Sequence, residues 1–194
     1  MSYAERLYKA ITLNIEFYES VEADKSLTRQ AMMTVALVAI LEGFIQAGIA
    51  PIALAQGVLG SILRWLLWAF FIAFVGTRIL PEPETNSNTG ELLRTLGFAY
   101  APGLLAIFVF LPVVGFLFSP NFFLIYLLEL MAMTVAVRQA LDFSSTVRAV
   151  GVCIVAFIMM IITLGLLIFF SDFVYTVAMN ASPVAVPLNP EMGV

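Results

Sequence analysis

Five apolar stretches, each about twenty residues long or slightly longer, dominate the sequence at residues 31–49, 54–80, 98–118, 122–141 and 147–170. A helix rises about 1.5 Å per residue, so each stretch can cross a hydrocarbon layer about 30 Å thick. Because backbone polar groups find no water in that layer, an isolated apolar segment must form a helix there. The sequence therefore predicts an all-α, polytopic membrane helical bundle with five transmembrane helices, in a domain at residues 26–172.

The composition supports lipid as the solvent around this domain. Hydrophobic residues make up 62% of the chain and charged residues 11%, whereas soluble domains are about half apolar and a quarter charged. The net charge of −4 provides no basic patch, so nucleic acid is not an expected partner. Membrane lipids are the partners that this composition predicts.

The sequence contains no pattern typical of an enzyme active site. It has no histidine and one cysteine, Cys153, which lies in an apolar run. The most common general base and the usual metal-ligand clusters are therefore missing. It also lacks a nucleophile paired with a base and a glycine-rich phosphate loop. We predict a non-enzymatic protein with no catalytic, cofactor-binding or metal-binding residues.

The first 25 residues are amphipathic. Between residues 3 and 21, apolar side chains recur at steps of three and four, at Tyr3, Leu7, Ile11, Ile15, Tyr18 and Val21. This segment is too polar to span a membrane. We therefore expect residues 1–25 to form one cytoplasmic amphipathic helix, which lies at the membrane interface or against the bundle.

Lysine and arginine residues occur in alternate connections along the chain, so five spans would place all of these connections on one side of the membrane. They precede the first stretch, flank the connection between the second and third, and bracket the turn between the fourth and fifth, at Arg6, Lys9, Lys25, Arg29, Arg78, Arg94, Arg138 and Arg148. Because cytoplasmic segments are enriched in such residues, the pattern predicts a cytoplasmic N-terminus. The C-terminus is then outside, with residues 173–194 as a short non-cytoplasmic tail.

Three segments resemble the bacterial branch of the Yip family (Ypt-interacting proteins), a group of five-span membrane proteins. They are residues 18–31 (YESVEADKSLTRQA), 90–105 (GELLRTLGFAYAPGLL) and 135–149 (VAVRQALDFSSTVRA). The resemblance implies an integral protein of the bacterial cytoplasmic membrane with a cytoplasmic N-terminus. Eukaryotic relatives associate with Rab-type GTPases and use a longer N-terminal region. Only about thirty residues precede the first stretch here, so that role is not carried over.

Three ionisable residues lie well inside the predicted spans: Glu42, Arg64 and Glu129. Counted from the cytoplasmic ends of their helices, they fall at similar depths near the middle of the membrane. A lone charge there costs about 3 kcal/mol or more, so such residues usually face the bundle interior and pair. They form either a polar site for an ion, a proton or a lipid headgroup, or a structural Glu42–Arg64 ion pair with Glu129 hydrogen-bonded or neutral.

A second group of candidate residues lies at the predicted cytoplasmic ends of the spans: Arg94, Arg138, Asp142 and Arg148. These residues could form a docking surface for a partner protein or an anionic lipid. Alternatively, they are ordinary arginines at span ends, with Arg138 and Asp142 paired at a spacing of four residues.

Two functions follow from these candidates. The first is a scaffold or accessory subunit that contacts other membrane proteins or lipids, or associates with itself. The alternative is a small transporter or lipid-handling protein built around the intramembrane polar site. A dry, closed bundle in which Glu42 touches Arg64 would favour the scaffold. A cavity that joins all three ionisable residues to one face would favour the alternative.

Overall fold

Seven α-helices make up most of a computed structural model that describes residues 1–48, 50–83, 85, 88–111 and 123–181. A 3₁₀ turn, Lys25–Leu27, precedes α3, a π-helical turn, Val75–Ile79, extends α4, and a 3₁₀ segment, Ala101–Phe110, extends α5. The all-α prediction is confirmed, since these residues contain no β-strand. The helices are α1 (Tyr3–Ile11), α2 (Ile15–Ala23), α3 (Thr28–Ala47), α4 (Pro51–Phe74), α5 (Thr89–Ala99), α6 (Phe123–Ala140) and α7 (Thr146–Ala181).

Four helical segments are long and apolar enough to cross a membrane: Lys25–Ile45, Pro51–Ile79, Thr89–Phe110 and Thr146–Asn180. They match the first, second, third and fifth predicted stretches in order. The fourth stretch forms α6, an 18-residue helix that is not among these four. A helical membrane bundle is therefore supported, and the count of five spans stays a prediction.

The outer surface of the bundle is apolar. Leu63, Phe70 and Leu166 are 57%, 61% and 63% exposed, and many other large hydrophobic side chains point outward with them. A soluble protein rarely exposes apolar area on this scale. Lipid is the solvent that suits such a surface.

The N-terminal segment forms two helices, so the prediction of a single helix over residues 3–21 is wrong. The chain turns at Leu13, which has a φ of 58°. Asn14 then caps α2, because its side chain accepts a hydrogen bond from the backbone N–H of Phe17 at 2.8 Å. Asparagine is a preferred N-cap residue, and its local hydrogen bond starts a new helix although the apolar period continues across the break.

The second of these helices, α2, is part of the bundle core. Tyr18 and Val21 are fully buried, and Phe17 is 2% exposed. The ring of Phe17 meets the ring of Phe98 edge to face, with centroids 5.2 Å apart. Of the two locations predicted for the N-terminal segment, the structure therefore has the one against the bundle.

The first helix, α1, runs antiparallel to the first turns of α3. The hydroxyl of Tyr3 lies 2.9 Å from the hydroxyl of Thr34, and the guanidinium of Arg6 donates to the side-chain oxygen of Gln30 at 2.6 Å. These two hydrogen bonds join residues near the beginning of the chain to α3. They fix the direction of α1 across the bundle.

Helix α5 begins earlier than predicted and is followed by 3₁₀ geometry near Pro102. Asn88 and Glu91 form a reciprocal capping box, so the helix starts at Thr89. The predicted third stretch began only at residue 98. Pro102 lacks an N–H donor, and the chain continues as the 3₁₀ segment Ala101–Phe110. Residues 112–118 of the predicted third stretch, and the turn before α6, lie outside the described residues.

Close contact between α3 and α5 depends on Gly97. A Cβ atom at this position would lie 2.9 Å from the Cβ of Ala31 and 3.1 Å from its carbonyl oxygen. Those distances are shorter than van der Waals contact, so a larger residue would push the two helices apart. Glycine therefore allows the backbones to approach, as small residues commonly do in membrane bundles.

The last helix, α7, is longer than the predicted span at residues 147–170. It continues to Ala181 and is roughly 54 Å long at 1.5 Å per residue. Ser171 does not end the helix, because its hydroxyl donates to the carbonyl of Ile168 at 2.7 Å within the same turn. The first part of the predicted tail, residues 173–181, is thus helical. Residues 182–194 lie outside the described residues.

Candidate functional site

An ion pair joins α3 to α4 inside the membrane-spanning region. Nη2 of Arg64 lies 2.8 Å from Oε2 of Glu42. The hydroxyl of Ser61, one turn before Arg64 on α4, donates to the same carboxylate oxygen at 3.2 Å. The structure therefore has the predicted pair, and it adds a partner that the sequence analysis did not identify. The side chain of Arg64 is 44% exposed, so the ion pair does not enclose it.

The third predicted residue, Glu129, approaches the pair from α6. Its Oε1 atom is buried and has no hydrogen-bond partner among the described residues. Gly103 makes room for the carboxyl group: a Cβ atom there would lie 2.6 Å from Oε1 of Glu129 and 2.7 Å from a methyl carbon of Val38. The absence of a side chain at residue 103 therefore allows Glu129 to reach into the bundle.

All three ionisable residues line a cavity of about 520 Å³, which they share with Trp68 and Tyr100. The polar groups are thus concentrated in one part of the lining. Most of the remaining wall, from α6 and α7, is apolar and includes Leu127, Leu130, Met133, Ile154, Phe157 and Met160.

The cavity opens sideways. Leu130, Ile154 and Phe157 line it and are 49%, 53% and 49% exposed. Beside the opening, the rings of Trp68 and Phe157 join α4 to α7, with centroids 6.3 Å apart. The arrangement combines a polar interior with an apolar entrance on the face that lipid would cover.

The sequence analysis did not assign Trp68, Tyr126 or Cys153 to this site. A helical spacing was the signal that could have found Trp68, because it follows Arg64 by four residues and therefore shares its face of α4. Tyr126 precedes Glu129 by three residues on α6 in the same way. Cys153 is 1% exposed and lines the cavity from α7. No sequence pattern indicated its position.

Arg94, a member of the predicted docking surface, is buried. It is 4% exposed, and its guanidinium donates to the backbone carbonyls of Val21 and Glu22 at 3.2 and 2.5 Å. These carbonyls belong to the last turn of α2, where a cation also interacts favourably with the helix dipole. Arg94 therefore holds α2 on the bundle. It is not available as a docking residue.

Arg138 binds the turn that follows its own helix. Its guanidinium donates to the carbonyls of Phe143 and Ser144 and to the hydroxyl of Thr146 at 3.1–3.4 Å. It does so rather than forming the predicted pair with Asp142. Asp142 is exposed and has a φ of 53°, so it lies in the turn that follows α6.

Arg148 connects two loops at the same end of the bundle. Its Nε atom lies 3.2 Å from Oε1 of Glu82, and Nη1 donates to the carbonyl of Pro81 at 2.7 Å. The backbone N–H and the hydroxyl of Ser144 both donate to Oε2 of Glu82 at 2.9 Å. The hydrogen bond from the N–H of Ser144 is the main reason that the pKa of Glu82 is lowered.

Acidic groups, rather than arginines, characterise the surface around the end of α2. Burial raises the pKa of Glu22 to about 7, and the negative charges of Asp142, Glu91 and Glu19 act in the same direction. The prediction placed an arginine-rich docking surface at this end. Arg94, Arg138 and Arg148 do lie there, but each guanidinium is engaged within the protein. This weakens the case for an anionic lipid docked at this end.

Within the described ranges, no group of three or more acidic or cysteine side chains is placed to hold a metal ion. The resemblance to the Yip family stays a prediction. The chain matches no family of known proteins, no curated protein and no solved structure.

Proposed function

We propose that this protein is a non-enzymatic integral membrane protein that binds an amphiphile, such as a lipid, in the cavity beside Glu42, Arg64 and Glu129. One observation carries the proposal: a cavity of about 520 Å³ is lined by all three ionisable residues and has an apolar side opening. Ligand sites are commonly concave and mostly apolar, with a few polar groups that orient the ligand.

The walls of the cavity favour an amphiphile over an ion. A route for ions or protons needs a chain of polar groups that crosses the membrane. Here the polar groups are gathered in one place, and the path outward passes Leu130, Ile154 and Phe157. A molecule with a polar head and an apolar chain suits both parts. This function is the lipid-handling alternative of the sequence analysis.

The scaffold hypothesis has less support. It combined helix–helix contacts with contacts at the cytoplasmic face. The cytoplasmic-face contacts relied on the arginines at the predicted ends of the spans, and the guanidinium groups of Arg94, Arg138 and Arg148 bond within the protein. Association with other membrane proteins, or with a second copy of this chain, remains a prediction without a described surface that favours it.

We also propose five spans in a bacterial cytoplasmic membrane, with the N-terminus in the cytoplasm. The alternation of lysine and arginine supports this topology. Alkaline phosphatase, which is active only in the periplasm, is expected to be active when fused after Val194 and inactive when fused after Glu82. An inactive fusion after Val194 would contradict the five-span count.

The two tryptophans of the chain provide a direct test of amphiphile binding. Trp65 and Trp68 both lie on α4 and are 5% and 7% exposed, but only Trp68 lines the cavity. We expect that Trp65→Phe protein, reconstituted in vesicles of phosphatidylcholine with brominated acyl chains, shows strong quenching of its remaining Trp68 fluorescence, because an acyl chain can fill the apolar part of the cavity whatever its headgroup. Bromine quenches on contact, so quenching requires an acyl chain inside the cavity.

The matched control is Trp68→Phe, which leaves Trp65 as the fluorophore at similar burial. Its fluorescence should be little affected by the brominated lipid. If both variants resist quenching equally, no chain enters the cavity and the proposed function is wrong. Equal strong quenching of both would mean that lipid reaches α4 without using the cavity, which would also contradict the proposal.

A further inference from the structure

Two polar atoms at the cavity are left without partners, and they differ in kind. Oε1 of Glu129 and Nε1 of Trp68 are both buried, and neither has a hydrogen-bond partner in the part of the chain that the structure describes. The indole N–H can only donate a hydrogen bond, whereas a carboxyl oxygen can accept one. Buried polar groups are normally satisfied, so an unpaired donor and an unpaired acceptor at one cavity indicate a missing partner.

The charges around the cavity restrict that partner. The charges of Glu42 and Arg64 already balance each other, because Oε2 of Glu42 lies 2.8 Å from Nη2 of Arg64. Glu129 adds a third ionisable side chain to the same lining. A phosphate or carboxylate head would bring a second negative charge beside the carboxylate of Glu42, and an ionised head has no proton to donate to Oε1 of Glu129.

A cationic head does not suit the cavity either, because it provides no hydrogen-bond acceptor. An ammonium group donates hydrogen bonds but accepts none, so it would leave Nε1 of Trp68 unpaired. A quaternary ammonium group neither donates nor accepts. A hydroxyl group differs from these heads, because one O–H donates while its oxygen accepts. It can therefore satisfy both kinds of unpaired atom.

We propose that the cavity selects an uncharged, hydroxyl-headed amphiphile of the long-chain alcohol or acylglycerol class, whose head donates to Glu129 and accepts from Trp68. This inference rests on the proposed function, because it specifies the ligand of the same cavity. The apolar chain of the ligand extends past Ile154 and Phe157 toward the lipid.

The test compares four probes with the same eighteen-carbon chain: oleyl alcohol, oleylamine, oleic acid and 1-octadecene, which has no polar head. Each probe is titrated against Trp65→Phe protein in brominated vesicles, and recovery of Trp68 fluorescence measures displacement of the brominated chain. We expect oleyl alcohol to displace the chain at a concentration about tenfold lower than 1-octadecene, the factor that one hydrogen bond of ordinary strength supplies. Oleylamine and oleic acid should show no such gain.

Glu129→Leu, made in the same Trp65→Phe background, separates recognition from folding. The variant should lose the preference for oleyl alcohol over 1-octadecene and retain displacement by both. It should be at least as thermally stable as its parent, because it removes a buried carboxyl oxygen that lacks a partner. A marked loss of stability would show that Glu129 has a structural partner and would overturn the inference.

The results distinguish the two proposals. If no probe restores fluorescence and no quenching was seen, the proposed function itself is wrong. If all four probes displace the brominated chain equally, an amphiphile binds but its head is not recognised as proposed. A preference for oleylamine or oleic acid over oleyl alcohol would also overturn the choice of a hydroxyl head.

Discussion

Replacing Arg64 by leucine is expected to lower the free energy of unfolding by about 3 kcal/mol, near the lower end of the range for broken buried ion pairs. The change leaves the carboxylate of Glu42 inside the bundle with only the hydroxyl of Ser61 as a described hydrogen-bond donor. The expected loss is not larger because the side chain of Arg64 is 44% exposed. Unfolding in mixed micelles with increasing denaturing detergent measures the effect.

The double variant Glu42→Leu/Arg64→Leu should recover most of this loss, because the unpaired charge is removed together with its partner. Ser61→Ala is the matched control, since it removes one hydrogen bond to the same oxygen and should cost about 1 kcal/mol. If the two leucine substitutions are additive, Glu42 and Arg64 do not stabilise each other despite their contact.

Depth along predicted helices was enough to identify the ion pair but not the cavity. Glu42 and Arg64 lie at similar heights on consecutive helices, so their contact follows from span boundaries alone. The cavity depends on how far α4, α6 and α7 separate around Trp68. Hydropathy contains no information about that separation, because an apolar residue facing lipid and one facing a cavity have the same character.

The N-terminal segment shows the limit of apolar periodicity. Ile11 and Ile15 are four residues apart, so the apolar period continues across the break between α1 and α2. Periodicity therefore predicted one helix. The break follows from the cap formed by Asn14 and the φ of 58° at Leu13. Asparagine at the middle of the segment was the available signal for this turn.

The contacts of the arginines at the ends of the predicted spans could not be predicted from the residues next to them in the sequence. Arg94 reaches the end of α2, whose residues Val21 and Glu22 lie more than seventy positions earlier in the sequence. Its burial follows from the packing of α2 on α5, and that packing follows from the side chains of Phe17 and Phe98. The charge pattern placed Arg94 near the start of its helix, where the structure has it. It also predicted an exposed side chain, whereas the side chain is buried.

The substitution Arg94→Leu tests this structural role, and its effect should be local as well as large. The guanidinium is the donor for the buried carbonyl of Val21 and for the carbonyl of Glu22. We expect a loss of about 3 kcal/mol in the free energy of unfolding, because both hydrogen bonds involve a charged donor. Amide hydrogen exchange across Ile15–Ala23 should accelerate more than exchange elsewhere, since α2 loses its attachment to α5.

Arg29→Leu is the matched control, because Arg29 is an exposed arginine near the same end of the bundle. It should leave both stability and the exchange of α2 unchanged within about 0.5 kcal/mol. The docking interpretation makes the opposite prediction for Arg94. If Arg94→Leu weakens co-purification of a specific lipid or protein while α2 keeps its protection from exchange, Arg94 contacts that partner and its hydrogen bonds to α2 are dispensable. Loss of protection in α2 with unchanged co-purification would establish Arg94 as the residue that fixes the N-terminal helices to the bundle.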